Sequence, residues 1–141
     1  MIKRFFGVSI AVKDLDTAVK KYRDVFRVKP KFVKPEKFSY PGLKGAMFSV
    51  GGVRITLTAS EKPDTPIAKF VETRGEGVFL LSFEVTDAAE ATKELIGKGV
   101  NFVSDKPLSF PGGVTNFSHP KSMHGVQFEF LQPDPDSWLT E

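Results

Sequence analysis

The sequence predicts an α+β fold in which two tandem βαβββ modules form a single domain around a central cleft. Three observations predict it: an internal repeat, strands that alternate in side-chain character, and one amphipathic helix signal in each half of the chain. The chain has 141 residues, of which 40% are apolar and 26% are charged. That length and composition are ordinary for one globular domain that can bury a core.

The first observation is a repeat at a fixed offset of 73 residues. Residues 8–14 (VSIAVKD) align with residues 81–87 (LSFEVTD), and residues 52–57 (GVRITL) align with residues 125–130 (GVQFEF). Because both matches share one offset, a duplication explains them better than chance. The predicted parts of the domain are module one at 1–60, a linker with a short helix at 61–77, module two at 78–132 and a tail at 133–141.

Each half of the repeat predicts a strand, a helix and three further strands. Asp14 and Asp87 are the predicted N-caps of the two amphipathic helices, and residues 66–73 predict a shorter one. Residues 110–114 (FPGGV) predict a tight turn between strands, with a flexible lid as the alternative. The predicted strands are 5–12, 30–37, 45–50 and 53–58 in the first copy, and 78–85, 100–104, 112–118 and 125–131 in the second. The Pro-rich tail is expected to be irregular.

In four of these strands, every second residue is bulky and apolar, which predicts a buried face directed at the helices. That face carries Phe6, Val8, Ile10, Val12, Val53, Ile55, Leu57, Phe79, Leu81, Phe83, Val85, Val126, Phe128 and Phe130. The opposite face is small and polar, and its members include Gly7, Ser9, Arg54, Thr56, Ser82, Gln127, Glu129 and Leu131. Small side chains on a concave surface leave volume for a ligand. An ordinary solvent-exposed sheet face is the alternative.

Charge and composition exclude several classes of partner. Residues 1–40 carry eleven Lys and Arg against four Asp and Glu, but no aromatic residues alternate with them as in a nucleic-acid module. A lysine-rich helix face and edge strand is the favoured interpretation, so we expect no nucleic acid. The apolar run at 5–12 is too short to span a membrane and lacks a cleavage site, so we expect a cytoplasmic protein. Cysteine is absent, which excludes disulfides and thiolate chemistry.

Four segments resemble the vicinal-oxygen-chelate superfamily (glyoxalases, bleomycin-resistance proteins and dioxygenases), and most closely its methylmalonyl-CoA epimerases. They are residues 10–15 (IAVKDL), residues 60–77 with the sequence DTPIAKF, residues 83–85 (FEV) and residues 119–129 (HPKSMHGVQFE). They occur in order over nearly the whole chain. The resemblance implies paired βαβββ modules, a divalent metal with one ligand from each of four strands, and a homodimer.

The resemblance places the four metal ligands of the family at Gly7, Thr56, Leu80 and Glu129. Transition metals prefer imidazole or carboxylate donors, usually three or more, and only Glu129 supplies one. We therefore expect no metal cofactor, and we do not expect metal-dependent epimerase activity. A second acid/base carboxylate of the epimerases falls on Gly45, which has no side chain.

Glu129 is the predicted catalytic residue, and two interpretations of it stay open. It is either a general base whose pKa is raised in a partly dry cleft, or the partner of Arg54 on the equivalent strand. A relocated metal site with His124 is a further alternative, although no third donor is evident. The predicted ligand-binding residues are Ser9, Arg54, Thr56, Leu80, Ser82 and Gln127.

Three functions remain candidates. The first is a metal-independent protein that binds a small organic molecule, for example a CoA thioester, as relatives resembling the bleomycin-resistance proteins bind drugs. The second is an isomerase or lyase that acts on a CoA thioester with Glu129 as its acid/base. The third is a non-catalytic subunit that partners an active relative.

Overall fold

The computed structural model describes residues 1–135, and the predicted irregular tail lies outside them from residue 136 onward. These residues form eight β-strands and three α-helices. The strands are β1 (Ile2–Ala11), β2 (Lys31–Val33), β3 (Leu43–Val50), β4 (Val53–Ser60), β5 (Gly77–Val85), β6 (Leu108–Phe110), β7 (Gly113–Phe117) and β8 (Phe128–Pro133). The helices are α1 (Leu15–Phe26), α2 (Pro66–Arg74) and α3 (Ala88–Gly97).

The chain divides into two compact units. The first unit comprises residues 7–79, and the second comprises residues 1–6 together with the chain from Leu80 onward. Strand order is β2-β3-β4-β1 in the first unit and β1-β5-β8-β7-β6 in the second, because β1 and β5 contribute to both. The mixed sheet of eight strands with three helices confirms the predicted α+β fold.

The first unit is built around α1. Asp14 precedes the helix and accepts a hydrogen bond from the Thr17 amide at 3.0 Å, which satisfies one of the free N–H groups of the first turn. The buried face of α1 contributes Leu15 and Val19 to a core that includes Phe48 and Leu57. Burying each such side chain stabilises the fold by about 1.5–3 kcal/mol.

The shorter helix α2 begins at a side-chain cap. Thr65 accepts from the Ala68 amide at 3.1 Å, and its hydroxyl lies 2.6 Å from that of Ser60. Ile67 is 2% exposed and packs with Ala11, which the alternation had placed on the small and polar face. This helix therefore covers part of that face. Within residues 1–135, no helix combines the length and apolar character needed to cross a membrane.

The second unit repeats the arrangement around α3. Asp87 accepts from the Glu90 amide at 3.0 Å, as Asp14 does from Thr17. Its core contains Val85, Ala88 and Ala91, together with the ring of Phe130. The ring of Phe130 lies near three other aromatic rings, those of Phe83, Phe102 and Phe128.

The strand registers confirm the repeat. In the first unit β1 and β4 are parallel with Val8 opposite Ile55, and in the second β5 and β8 are parallel with Leu81 opposite Phe128. Both members of the second pair lie 73 residues beyond those of the first. The same offset relates the two capping aspartates, so the duplication extends to the backbone pairing.

The predicted strand at 100–104 is wrong, because only Phe102 pairs there, in an isolated bridge to Ser118. The buried amide of Asn116 explains the difference. It donates to the Ser104 carbonyl at 3.0 Å and to the Thr92 hydroxyl at 3.3 Å, which fixes this segment by a side chain instead of a ladder. The short strand occurs later, as β6.

Two predicted boundaries shift at residues with special backbone requirements. The strand at 30–37 ends at Val33, and Pro35, which has no N–H to donate, begins a turn of 3-10 helix. The strand at 125–131 begins at Phe128, because His124 and Gly125 have positive φ angles of 58° and 89°. The tight turn at 110–114 is confirmed, since Phe110 pairs with Gly113 across two residues.

Phe6 and Leu131 correct the predicted faces. Phe6 was assigned to the helix-covering face, but it packs with Leu131 and Phe110 in a separate cluster of the second unit. The preceding residue explains this, because the Phe5 ring contacts Phe83 at 5.4 Å and alternation then directs Phe6 to the opposite side. The predicted small and polar face therefore carries an apolar cluster beside Glu129.

Candidate functional site

Glu129 on β8 lies between two hydroxyl groups. Ser82, its register partner on β5, donates to Oε1 at 2.8 Å, and Thr115 on β7 donates to Oε2 at 2.9 Å. Each carboxylate oxygen therefore accepts one hydrogen bond from a different strand. Thr115 is 0% exposed and Ser82 is 5% exposed, so both donors are fixed in position.

Burial sets the acidity of this carboxyl group. Desolvation raises the pKa of Glu129 above its ordinary value of 4.5, and the hydrogen bonds from Ser82 and Thr115 oppose the rise without cancelling it. The apolar surroundings account for the desolvation, since Leu131 lies two residues along β8 and packs with Phe6. A carboxyl group of this kind exchanges its proton closer to neutral pH than an exposed glutamate does, which suits general acid/base chemistry.

The other carboxylate of this region, Glu84 on β5, is neutralised. Arg4 Nε donates to it at 2.8 Å and Lys3 Nζ lies 3.1 Å away. Desolvation alone would raise the pKa of Glu84, but the hydrogen bonds and charges of Arg4 and Lys3 outweigh it and the pKa is lowered. Glu84 is therefore a structural ion-pair partner, whereas Glu129 is held by neutral groups.

The opposite pKa shifts predict opposite pH dependences of stability. The folded chain holds the Glu129 proton more tightly than the unfolded chain, so stability falls as the pH rises from 4.5 to the folded-state pKa. Glu129→Gln removes this dependence, and we expect its melting temperature to rise relative to the parent chain across that interval. Thermal unfolding at a series of pH values measures it.

Glu84→Gln is the matched control for this experiment. The lowered pKa of Glu84 contributes stability above its ordinary value of 4.5, and that stability is lost as the pH falls through the folded-state value. E84Q should therefore lose melting temperature relative to the parent as the pH rises towards 4.5. Parallel curves for the parent and E129Q would contradict the raised pKa.

The predicted residues of the first unit form a separate polar group. Ser9 Oγ lies 3.3 Å from the Thr58 hydroxyl, and Thr56 is the register partner of Ser9. Arg54 is 5% exposed and lies opposite Gly7 in the same register. The first unit therefore presents a buried guanidinium group and a hydroxyl pair, and the pairing of Arg54 with Glu129 stays a prediction.

In the second unit the structure brings Ser82 to Glu129, as alternation predicted. Leu80 is 8% exposed and lies two residues before Ser82 on β5. Gln127 precedes β8 instead of lying within it, and its carbonyl accepts from the Leu81 amide at 3.1 Å. The ligand-binding roles of Leu80 and Gln127 stay predictions.

Sequence analysis missed Thr115, which completes the environment of Glu129. The available signal was the predicted strand at 112–118, whose alternation was not assigned to a face. Thr115 pairs with Leu131 in the antiparallel register of β7 and β8, which places it beside the carboxylate. Its position depends on pairing between strands and therefore could not be read from the local sequence alone.

The positions aligned with the metal ligands of the family do not fit a divalent cation. A Cβ at Gly7 would collide with the backbone oxygen of Arg54, so no side chain can be accommodated there without moving β4. Thr56 offers a neutral hydroxyl and Leu80 offers no donor, which leaves one carboxylate where such metals need three or more protein ligands.

The position of the second acid/base is likewise closed. A Cβ on Gly45 would lie 2.7 Å from Cζ of Phe38 and 2.8 Å from the carbonyl oxygen of Leu57. The Phe38 ring thus fills the space into which a side chain would extend. A carboxylate at this position would require both the ring and β4 to move.

The two histidines do not assemble an alternative metal site. His119 precedes a turn of 3-10 helix over Pro120–Met123, and His124 ends it; both are exposed. Within residues 1–135, no three His, Asp or Glu side chains are close enough together to hold a metal ion. The site that combines His124 with Glu129 therefore still lacks a third donor.

Comparison with known proteins identifies the relatives of this chain. The family model of the Glyoxalase/Bleomycin resistance protein/Dioxygenase superfamily matches residues 4–132. The mitochondrial methylmalonyl-CoA epimerase of Mus musculus is 28% identical over 131 residues, which cover 92% of this chain and 72% of that protein.

Solved structures of methylmalonyl-CoA epimerases share the fold. The enzyme from Mycobacterium tuberculosis has a TM-score of 0.83 and 31% identity, over 95% of this chain and 90% of that one. A methylmalonyl-CoA epimerase solved with methylmalonyl-CoA and NH4+ has a TM-score of 0.84 and 26% identity, over 96% and 97% of the two chains. With the family match over nearly its whole length, the chain belongs to the Glyoxalase/Bleomycin resistance protein/Dioxygenase superfamily.

Proposed function

We propose that the chain binds a small organic molecule of the coenzyme A thioester class and does so without a metal ion. The observation that carries the proposal is the environment of Glu129. The hydroxyls of Ser82 and Thr115 hold its carboxylate at 2.8 and 2.9 Å, where members of the family would use a cation. Gly7, with no room for a side chain, supports the same reading.

The thioester class is supported by relatives. A methylmalonyl-CoA epimerase of 26% identity, matched over 96% of this chain, was solved with methylmalonyl-CoA. Proteins that share a fold over their whole length often keep a ligand class while their chemistry diverges, although fold alone does not fix function. Acyl-CoA thioesters are therefore the first molecules to test.

Titration calorimetry tests the proposal. The purified chain is titrated with short acyl-CoA thioesters, once in plain buffer and once with an excess of chelator. We expect the same affinity in both, because no binding group belongs to a metal. Binding that disappears with chelator would overturn metal independence. Binding of a hydrophobic drug panel but no acyl-CoA would retain the binding function and reject the thioester class.

The raised pKa of Glu129 favours a second candidate, in which this residue acts as a single acid/base on the thioester. A carboxyl group that is partly desolvated and oriented by two hydroxyls is suited to remove a proton next to a thioester carbonyl. Since Gly45 provides no second carboxylate, we expect proton exchange with solvent in preference to inversion.

Deuterium incorporation distinguishes this candidate from simple binding. Methylmalonyl-CoA is incubated with the chain in heavy water, with and without added cobalt, and the carbon next to the thioester is followed by NMR. Exchange that Glu129→Gln abolishes would support catalysis. The absence of both exchange and turnover, in either condition, would leave binding as the function.

A further inference from the structure

The two carboxylates on the β5–β8 part of the second unit differ in their partners. Glu84 is paired with two cations, Arg4 at 2.8 Å and Lys3 at 3.1 Å. The polar partners of Glu129 are the hydroxyls of Ser82 and Thr115. Among the described residues of this unit, no lysine or arginine forms an ion pair with Glu129. Its negative charge is therefore stabilised by dipoles alone.

The hydroxyls leave part of the Glu129 carboxylate available. An ionised carboxylate has about four lone-pair sites, and one on each oxygen is used here. Glu129 is partly exposed, so a bound molecule can reach the remaining sites. The nearby cluster of Phe6, Leu131 and Phe110 lowers the local polarity, which strengthens electrostatic interactions at this position.

We infer that the ligand presents a hydrogen-bond donor, and preferably an ammonium group, to Glu129, and that the site disfavours an anionic group. This inference rests on the proposed thioester-binding function and names the acyl group that it selects. An N–H donor with positive charge forms a short, charge-assisted hydrogen bond with a carboxylate. A carboxylate ligand would face a like charge with no cation to separate the two.

The selectivity is opposite to the charge of methylmalonyl-CoA, with which a relative was solved. The methylmalonyl group carries a carboxylate on the carbon next to the thioester. In this chain Gly7, Thr56 and Leu80 offer no cation or acidic donor to receive that group. A molecule with an amine in the same place would complement Glu129.

Three coenzyme A thioesters test the inference, because they differ in one substituent on the carbon next to the carbonyl. Alanyl-CoA carries an ammonium group there, isobutyryl-CoA a methyl group and methylmalonyl-CoA a carboxylate. Calorimetry at neutral pH should place alanyl-CoA about tenfold tighter than isobutyryl-CoA, and methylmalonyl-CoA about tenfold weaker.

Glu129→Gln should bring the three affinities close together. Glu84→Gln is the control, because that carboxylate is already neutralised by Arg4 and Lys3 and the order of affinities should survive its loss. If E129Q does not fold, the order in the parent chain decides.

Equal affinities, or tightest binding of methylmalonyl-CoA, would overturn the inference and leave the proposed thioester binding intact. An order that persists in folded E129Q would also overturn it, because the selectivity would then come from another group. If none of the three binds, the proposed function fails and the inference fails with it.

Discussion

Substitution of Gly7 by histidine is expected to destabilise the protein by about 3 kcal/mol and to create no metal site, although it restores a ligand type that the family uses. The new Cβ would collide with the backbone oxygen of Arg54 on the paired strand. A backbone atom in a ladder cannot move aside as a flexible side chain can, so β1 and β4 would have to separate locally. Thr56 and Leu80 would still lack donors.

Chemical unfolding and metal titration of the Gly7→His variant measure the two parts of this prediction. Gly97→His is the matched control, because no atom lies within 4 Å of a Cβ built at Gly97. We expect this control to change the free energy of unfolding by no more than about 0.5 kcal/mol, as surface substitutions usually do. A stable Gly7→His protein that binds one cobalt ion per chain would contradict the close approach.

Truncation of Phe130 to alanine should cost about 3–5 kcal/mol, the second large effect that we expect. Phe130 is 3% exposed, and its ring lies 6.3 Å from that of Phe83 and 5.8 Å from that of Phe102, measured between centroids. Removing the ring would leave a cavity between α3 and the sheet. Because Glu129 is the preceding residue on β8, we also expect weaker ligand binding.

Urea unfolding followed by circular dichroism measures the cost of the Phe130 truncation. Phe130→Leu is the control, since a smaller change in volume should cost less than about 1.5 kcal/mol. A loss below about 1 kcal/mol for Phe130→Ala would mean that the four rings do not form the core of the second unit.

The repeat explains why so much of the fold was predictable. Alternation within a strand and capping at a helix start are local properties, so the sequence around Asp14 and Asp87 was sufficient to place both modules. The offset then carried over to the register, where Ser9 lies opposite Thr56 and Ser82 lies opposite Glu129. The Ser82–Glu129 contact of the site follows directly from that register.

Contacts between distant segments were not predictable in the same way. The hydroxyl of Thr115 reaches Glu129 only because β7 pairs with β8, and Asn116 replaces a strand by binding the Ser104 carbonyl. Similarly, the sequence shows that Gly7 lacks a donor, but the space around it depends on Arg54 in another strand. These features require the three-dimensional register.

Metal content is the most direct measurement of the central claim, which is that hydroxyl groups take the place of a cation at Glu129. The chain is purified without chelator, dialysed against zinc or cobalt at limiting concentration, and analysed by mass spectrometry of the elements beside Glu129→Gln. We predict the same low, substoichiometric metal content in both proteins. One metal ion per chain in the parent, lost in E129Q, would contradict the account.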